Sequence, residues 1–88
     1  MKIVFQPKAL SDLAIWIDGD SRHLKKLYKL IVETTRTPTT GTGNPERLRH
    51  TGGQLWSRRV SMQHRMVYAI EGDAIVFLSL HGHYWADM

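Results

Sequence analysis

The sequence predicts an α+β fold, with two N-terminal helices packed on one face of a mainly antiparallel, twisted sheet of four to five strands. Three observations lead to this prediction. Apolar residues recur at helical spacing twice before Thr37. A loop rich in Thr, Gly and Pro follows, and the rest of the chain consists of short β-type runs separated by turn residues. Because runs of helix followed by runs of strand are typical of α+β domains, we expect the 88 residues (1–88) to form one domain.

The first helix follows a short β-type run, Lys2–Phe5. Pro7 suits the first turn of a helix, where its missing N–H is not needed. The apolar residues at helical spacing predict its buried stripe, which comprises Ala9, Leu10, Leu13, Ala14 and Ile17. Gly19 is expected to end this helix, and Asp20 or Ser21 can cap the next one.

The second helix has the clearest amphipathic pattern. Its predicted apolar stripe comprises Leu24, Leu27, Tyr28 and Ile31. Its basic residues lie largely off that stripe: Arg22, Lys25, Lys26 and Lys29. They could contact nucleic acid, but a solvated helix face is the commoner meaning of such a pattern. Pro38 disfavours helical geometry in the residue before it, so the helix should end within Thr35–Pro38.

The segment "TPTTGTGNP" is interpreted as a connector. Its glycines do not form a convincing phosphate cradle, because no helix start and no Lys-Ser/Thr pair follow them. The remaining chain predicts a meander of about four strands, in which "ERLRH" is a candidate short strand and the others are Leu55–Val60, Arg65–Ile70 and Ala74–His81. The two helices should cover one sheet face and leave the other partly open.

Composition restricts the class of protein. The chain has no cysteine, which excludes disulfides and thiolate-ligated zinc and fits a reducing, cytoplasmic setting. We expect no signal peptide, since no basic segment followed by an apolar run opens the chain. No membrane span is expected either, since no apolar run approaches the ~20 residues needed. The net charge of +4 suits a polyanion or an acidic protein as partner, or only aids solubility.

Candidate functional residues concentrate in the C-terminal half and comprise Glu46, Arg47, Arg49, Arg58, Arg59, His64, Arg65, His81, His83 and Tyr84. Strand alternation places Arg58 and Arg59 on opposite faces. His81 and His83 would share a face if the last strand continued through them. A metal site there is disfavoured, because no third ligand can be named and the nearby arginines would repel a cation. A serine hydrolase is disfavoured because no serine lies in a nucleophile-elbow sequence.

Phosphoryl transfer on RNA fits these residues better. RNA supplies its own nucleophile, the 2′-OH, so the chemistry needs no metal or other cofactor. The protein must take the 2′-OH proton, protonate the departing 5′-oxygen and stabilise the charged phosphate. A carboxylate, a histidine and an arginine can fill those roles, and Tyr84 could stack on a base. The alternative is purely structural, with Glu46 and Arg65 in a salt bridge and His83 in a frayed terminus.

Several segments together resemble a known family. These are "GTGNPERLRH", "GQLWSRRVSMQHRMVYAI" and "HGHY", with "LKKLYKLI" in the second helix. The chain resembles the YoeB/Txe branch of the RelE-type bacterial toxins. That branch has a Lys-Pro-Glu-x-Leu segment, a Trp-Ser-Arg-Arg strand, a His-Arg-Leu-Val-Tyr strand and a terminal His-Tyr. The resemblance covers nearly the whole chain and implies a RelE-like, microbial-RNase-like fold.

The resemblance also implies site residues and partners. Glu46 matches the general base, Arg65 the arginine that stabilises the scissile phosphate and His83 the general acid. Further matches concern RNA contacts and structure: Arg49 and Arg59 hold the RNA backbone, Tyr84 orients the nucleotide, and Trp56 and Ser57 are mainly structural. Members of the branch cut messenger RNA in the ribosomal A site without a metal. Each is silenced by a YefM/Axe-like antitoxin encoded beside it, and homodimers or hetero-oligomers remain open.

The chain departs from the branch at a few positions. Asn44 replaces a common Lys, Arg47 a common Pro and Arg49 the usual Lys. The chain also continues past His-Tyr with Trp85–Met88, which could crowd the site.

Two arginines and one histidine need separate expectations. Arg59 and Arg65 should face the open side of the sheet and hold phosphate. Arg58 should point elsewhere, for example into a salt bridge. His64 is expected to make a structural hydrogen bond in a turn or at a strand end.

Three functions remain in competition at this point. The leading one is a ribosome-dependent endoribonuclease toxin. The second is a non-catalytic inhibitor on the same scaffold, like the gyrase-directed ParE branch. The third is a plain RNA-binding module. The combination of Glu46, Arg65 and His83 favours the nuclease, since a pure binder does not need an acid–base pair.

Overall fold

The structure is a computed structural model, and it describes residues 1–49, 52 and 54–82. The elements within these ranges are β1 (Lys2–Phe5), α1 (Pro7–Ile17), α2 (Ser21–Arg36), β2 (Glu46–Arg47), β3 (Leu55–Arg59), β4 (Arg65–Glu71) and β5 (Ala74–Ser79). The helices pack on a five-stranded mixed sheet, which confirms the predicted α+β fold.

The strand order is β1-β5-β4-β3-β2. Strands β2 to β5 form the predicted antiparallel meander, and β1 pairs with β5 in parallel. A parallel neighbour needs a long crossover connection, and between these two strands the chain runs through both helices and the meander. β5 ends at Ser79, so His81 lies beyond the strand and the premise that the strand continues through His81 is wrong.

The core lies between the helices and one sheet face. Its buried members are Ala9, Trp16, Leu27, Leu30, Ile31, Val60, Met66, Tyr68, Ile75, Phe77 and Leu80. Burial of each large apolar side chain contributes about 1.5–3 kcal/mol. On the opposite face of the sheet, Val67, Ala69 and Val76 are also buried, so that face is only partly open, as expected.

The buried face of α1 matches the predicted stripe only in part, since Ala9 is buried and Leu13 packs against the core. Leu10 and Ile17 are 59% and 57% exposed, whereas the buried residues are Ala9, Asp12 and Trp16. Hydrogen bonds explain this rotation. Asp12 accepts a hydrogen bond from the Leu80 backbone N–H at 3.0 Å, and the Trp16 indole N–H donates to the Leu80 carbonyl at 2.8 Å. Helix α1 therefore buries the side chains that bind the end of β5, although one of them is an aspartate.

Asp12 is a buried carboxylate with several partners. Lys8 donates to it at 2.7 Å, and the Ser79 hydroxyl donates at 3.3 Å. Burial alone would raise the pKa of Asp12, but the hydrogen bonds from Lys8 and from the Leu80 backbone outweigh burial and lower it.

Helix α2 begins at the predicted cap. The Asp20 carboxylate accepts a hydrogen bond from the Arg22 backbone N–H at 2.8 Å. The buried face comprises Leu27, Leu30, Ile31 and Thr34. Tyr28 is 67% exposed, so its assignment to the buried stripe is wrong. It lies at the edge of an apolar groove between the two helices and β1, which is also lined by Ile3, Phe5, Leu13, Ile17 and Leu24.

Candidate active site

Strand register gathers four polar side chains at one end of the sheet. Glu46 on β2 lies opposite Ser57 on β3, and Arg59 on β3 lies opposite Arg65 on β4. Residues directly opposite each other in antiparallel strands project to the same face, as do Ser57 and Arg59, two positions apart on one strand. Glu46, Ser57, Arg59 and Arg65 therefore share the face opposite the helices.

Arg65 contacts both Ser57 and Glu46. Its Nη1 donates to the Ser57 hydroxyl at 3.1 Å and to Glu46 Oε1 at 3.4 Å. The Arg65 side chain is 19% exposed, and that of Glu46 is 49% exposed. The salt bridge between Glu46 and Arg65, which a purely structural role would require, is thus present. An ion pair this long and this exposed contributes only about 0–1 kcal/mol to the stability of the fold. An incoming anion could displace it at little cost.

Ser57 has a larger part in this geometry than its sequence match implied. Its side chain is fully buried, and it orients the Arg65 guanidinium from the sheet side. The sequence placed Ser57 and Arg59 on the same face of one strand, two positions apart. What the sequence lacked was the register that pairs β3 with β4.

Arg59 on this face and Arg49, which follows β2 in the chain, are exposed basic residues. Arg59 lines a shallow pocket with Lys26, Thr42 and Asn44. Arg49 follows Leu48, whose backbone N–H donates to the Leu55 carbonyl at 2.9 Å and extends the β2–β3 contact. The prediction that Arg59 lies on the opposite face from Arg58 is confirmed.

Arg58 is fully buried and holds the loop that precedes β2. Its guanidinium forms a salt bridge with Glu33 at 3.0 Å, as expected for an arginine that points away from the open face. It also donates to the Thr37, Thr40 and Thr42 carbonyls. The hydrogen bonds from the Thr42 backbone N–H and side chain, followed by the charge of Arg58, lower the pKa of Glu33. The loop that leads to Glu46 is therefore tied to the body of the protein.

Gly43 completes this attachment. The Arg59 backbone N–H donates to the Gly43 carbonyl at 2.7 Å. Gly43 has φ +86°, and a Cβ at this position would lie 2.7 Å from the Arg59 carbonyl oxygen. Only glycine fits this approach of two backbones. The connector thus has a precise role, which is to fix the start of β2.

His64 makes the expected structural hydrogen bond. Its Nδ1 accepts from the Gly82 backbone N–H at 3.0 Å. The Gly82 carbonyl in turn accepts from the Arg65 backbone N–H at 3.1 Å. The residue before His83 is therefore bonded to the strand that carries Arg65. His83 and Tyr84 themselves lie outside the described residues.

Two further observations concern other classes of function. Within residues 1–49, 52 and 54–82, no group of three His, Asp or Glu side chains is arranged to hold a metal ion. Neither helix of the described chain is both long enough and apolar enough to cross a membrane.

Comparison with known proteins decides the family. Residues 5–84 match the sequence model of a family described as the YoeB-like toxin of bacterial type II toxin-antitoxin systems. The chain belongs to the YoeB-like toxin family. The YoeB toxin of Escherichia coli K12 is 38% identical over 84 residues, which cover 96% of this chain and 100% of that protein.

Solved structures of YoeB toxins have the same fold as this YoeB-like toxin. A YoeB/ParE toxin from Agrobacterium tumefaciens superposes with a TM-score of 0.88 at 34% identity, covering 96% of this chain and 100% of that one. The toxin in a heterotetrameric YoeB-YefM complex from Staphylococcus aureus gives a TM-score of 0.82 at 30% identity, with 96% and 98% covered. The predicted resemblance is confirmed, and the chain is a toxin of a type II toxin–antitoxin system.

Proposed function

We propose that this toxin is an endoribonuclease that cleaves messenger RNA in the ribosomal A site, with Glu46 as general base, Arg65 on the scissile phosphate and His83 as general acid. The observation that carries the proposal is the Glu46–Arg65 pair. A carboxylate and a guanidinium lie 3.4 Å apart on the exposed sheet face, in a contact too weak to be needed for the fold.

The pair suits a substrate with a phosphate and a hydroxyl. A guanidinium carries five N–H donors, and Arg65 uses one nitrogen on Ser57 and Glu46. Two oxygens of a phosphate can be bound by the guanidinium fork, and the negative phosphate then competes with Glu46 for Arg65. The released carboxylate is free to accept the proton of the neighbouring 2′-OH.

The chemical step balances without a cofactor. The 2′-oxygen attacks phosphorus as Glu46 takes its proton, and the bond from phosphorus to the 5′-oxygen breaks as His83 supplies a proton to that oxygen. The products are a 2′,3′-cyclic phosphate and a 5′-hydroxyl. Arg65 stabilises the charge that develops on the phosphate oxygens between these two proton transfers.

Arg59, Arg49 and Tyr84 are proposed to bind the RNA on either side of the reacting phosphate. Arg59 lies directly across the strand pair from Arg65, so one guanidinium can hold a neighbouring phosphate while the other holds the scissile one. Lys26 lines the same shallow pocket as Arg59 and adds a further positive charge. Such contacts make RNA binding weaken steeply as salt concentration rises.

The partner is proposed to be an acidic antitoxin of the YefM type, as in the Staphylococcus aureus complex. One part of it would cover the basic face with Arg49, Arg59 and Arg65. Another part, an amphipathic acidic segment, would fill the apolar groove between α1, α2 and β1, because Lys25 and Lys29 also line that groove. The toxin would act in the cytoplasm, where the ribosomes are.

The test compares naked and translated messenger RNA. The small site fixes few substrate atoms, so the ribosome must supply much of the positioning. Single-turnover cleavage should be strong on programmed ribosomes and weak on the same RNA alone. Equal rates would indicate a free-standing ribonuclease. Growth arrest with intact RNA would indicate a toxin that acts by binding only.

A further inference from the structure

The hairpin connection between β3 and β4 fixes the backbone of His64. The Val60 and Ser61 backbone N–H groups donate to the His64 carbonyl at 2.9 and 3.1 Å. The Ser61 hydroxyl accepts from the His64 backbone N–H at 3.2 Å and from that of Gln63 at 3.4 Å. His64 therefore leaves a tight, internally bonded turn just before Arg65.

Neighbouring rings fix the His64 imidazole. It stacks on His81 with the ring centroids 3.9 Å apart and the planes at 26°. Trp16 lies edge-on to both imidazoles, with centroids 5.4 Å away in each case. Trp16 is itself held by its hydrogen bond to the Leu80 carbonyl. The ring of His64 thus has one orientation, in which Nδ1 accepts from Gly82, so the neutral ring carries its proton on Nε2.

Gly82 forms hydrogen bonds with two consecutive residues, His64 and Arg65. Its N–H donates to His64 Nδ1 at 3.0 Å, and its carbonyl accepts from the Arg65 N–H at 3.1 Å. Gly82 has φ +125°, a conformation that side chains disfavour, while nothing within 4 Å would meet a Cβ. Glycine is therefore favoured here by its backbone conformation and not by steric contact with a neighbouring residue. His83 is the next residue in the chain.

We propose that His64 is a positioning residue of the toxin, which holds the Gly82 backbone beside Arg65 and so fixes the point from which the chain delivers the general acid. The inference rests on the proposed function, because it concerns the placement of His83 relative to Arg65. Arg65 then serves both halves of the site, with its side chain on the phosphate and its backbone N–H on Gly82. A catalytic group displaced by ~1 Å can lose on the order of 100-fold in rate.

The test uses two substitutions of nearly identical shape. His64→Asn retains an acceptor, since Asn Oδ1 occupies a place close to that of His Nδ1, and His64→Leu removes it. Single-turnover cleavage on programmed ribosomes should fall 10- to 100-fold for His64→Leu and stay within about threefold of the unmodified rate for His64→Asn. Affinity for the ribosome should be unchanged in both, because neither change touches an RNA contact.

A second readout follows the hydrogen bond itself. Hydrogen exchange of the Gly82 amide in the full-length toxin should be slow in the unmodified protein and in His64→Asn, and fast in His64→Leu. The melting temperature of each variant shows that the fold is retained. A merely structural histidine would lower the melting temperature of His64→Leu without slowing cleavage at temperatures where that variant is folded.

The outcomes separate the two proposals. If the unmodified toxin cleaves and His64→Leu cleaves at the same rate, His64 does not position the acid and only this inference fails. Equal loss of rate in both variants overturns it as well, since the acceptor would then be irrelevant. If the unmodified toxin does not cleave RNA on ribosomes, the proposed function fails and the positioning role fails with it.

Discussion

Two adjacent arginines on β3 have different roles, one in the stability of the fold and one beside the candidate site. Arg58 is fully buried under the loop before β2, and Arg59 is exposed beside the candidate site. Alternation alone decides which is which, because consecutive strand residues project to opposite faces. The two positions therefore allow a matched pair of substitutions. The same change of charge and size is made at a buried position and at an exposed one.

We expect Arg58→Met to destabilise the protein by about 3 kcal/mol or more, because it leaves buried carbonyls in the loop without donors. Arg59→Met should change the free energy of unfolding by no more than about 0.5 kcal/mol. Urea denaturation of both variants measures this. Comparable stability of the two variants would show that the Arg58 hydrogen bonds contribute nothing net.

Arg59→Met should instead weaken RNA binding. The expected effect is a lower affinity for programmed ribosomes and a smaller dependence of affinity on salt, since one phosphate contact is lost. Arg36→Met is a matched control, because Arg36 is an exposed arginine at the end of α2. The proposed RNA contact is wrong if the two variants bind ribosomes with the same affinity and salt dependence.

At the scale of elements, local patterns predicted the strands better than the buried faces of the helices. Strands β3 and β4 and the cap at Asp20 are where the sequence predicted them, because alternation and capping are local properties. Part of the stripe of α1 was predicted wrongly, since Leu10 and Ile17 are exposed. Its orientation is decided by Leu80, 68 residues away from Asp12, and no pattern within the helix contains that partner.

The candidate site also has features that the sequence predicted and features that it did not. Glu46 and Arg65 were predicted from residue type and resemblance, and the structure brings them together through the pairing of three strands. The contribution of Ser57, the attachment of the loop by Arg58 and the bond from Gly82 to His64 were not predicted as such. The Ser57 contact depends on the register of the β3–β4 hairpin, and the other two depend on partners 16 and 18 residues away, so each required the tertiary structure.

The link between α1 and β5 gives a prediction about pH. The pKa of Asp12 is lowered below its usual 3.8 in the folded state. A lowered folded-state pKa stabilises the protein above the unfolded pKa, and this stabilisation is lost as pH falls through the folded value. The free energy of unfolding should therefore fall as pH drops below ~4. The free energy of unfolding of Asp12→Asn should fall less steeply over the same pH range, because the carboxylate is absent.

Urea denaturation of both proteins between pH 5 and pH 2.5 checks this. Asp73→Asn is the control, since Asp73 is an exposed aspartate in the turn after β4. Identical pH slopes for the unmodified protein and Asp12→Asn would contradict the assignment.

Considered as a whole, the molecule separates two surfaces. The basic face, with Arg59 and Arg65, is the sheet face opposite the helices. The apolar groove lies between the helices and β1, at the β1 edge of the sheet. An antitoxin that spans both would bind through charge at one and through apolar burial at the other. The two contributions should then respond differently to salt.

Tyr28→Ala tests the groove. We expect it to weaken the complex with the antitoxin about tenfold, with most of the loss persisting at high salt, because apolar area and not charge is removed. Cleavage on ribosomes by the free toxin should be unchanged, since Tyr28 lines the groove beside β1, and β1 and β2 lie at opposite edges of the sheet. Titration calorimetry at two salt concentrations measures the binding. Unchanged antitoxin affinity would show that the groove is not part of the interface.

In the proposed mechanism, Glu46 and His83 form an acid–base pair around a phosphate held by Arg65. The most direct test is single-turnover cleavage on programmed ribosomes by Glu46→Gln and His83→Gln, with ribosome binding measured in parallel. Glu71→Gln and His23→Gln are controls, since both replace exposed residues outside the site. Each site variant should lose on the order of 100-fold or more in rate while binding ribosomes normally. Cleavage by both site variants at the unmodified rate would contradict the assignment and favour a toxin that acts by binding alone.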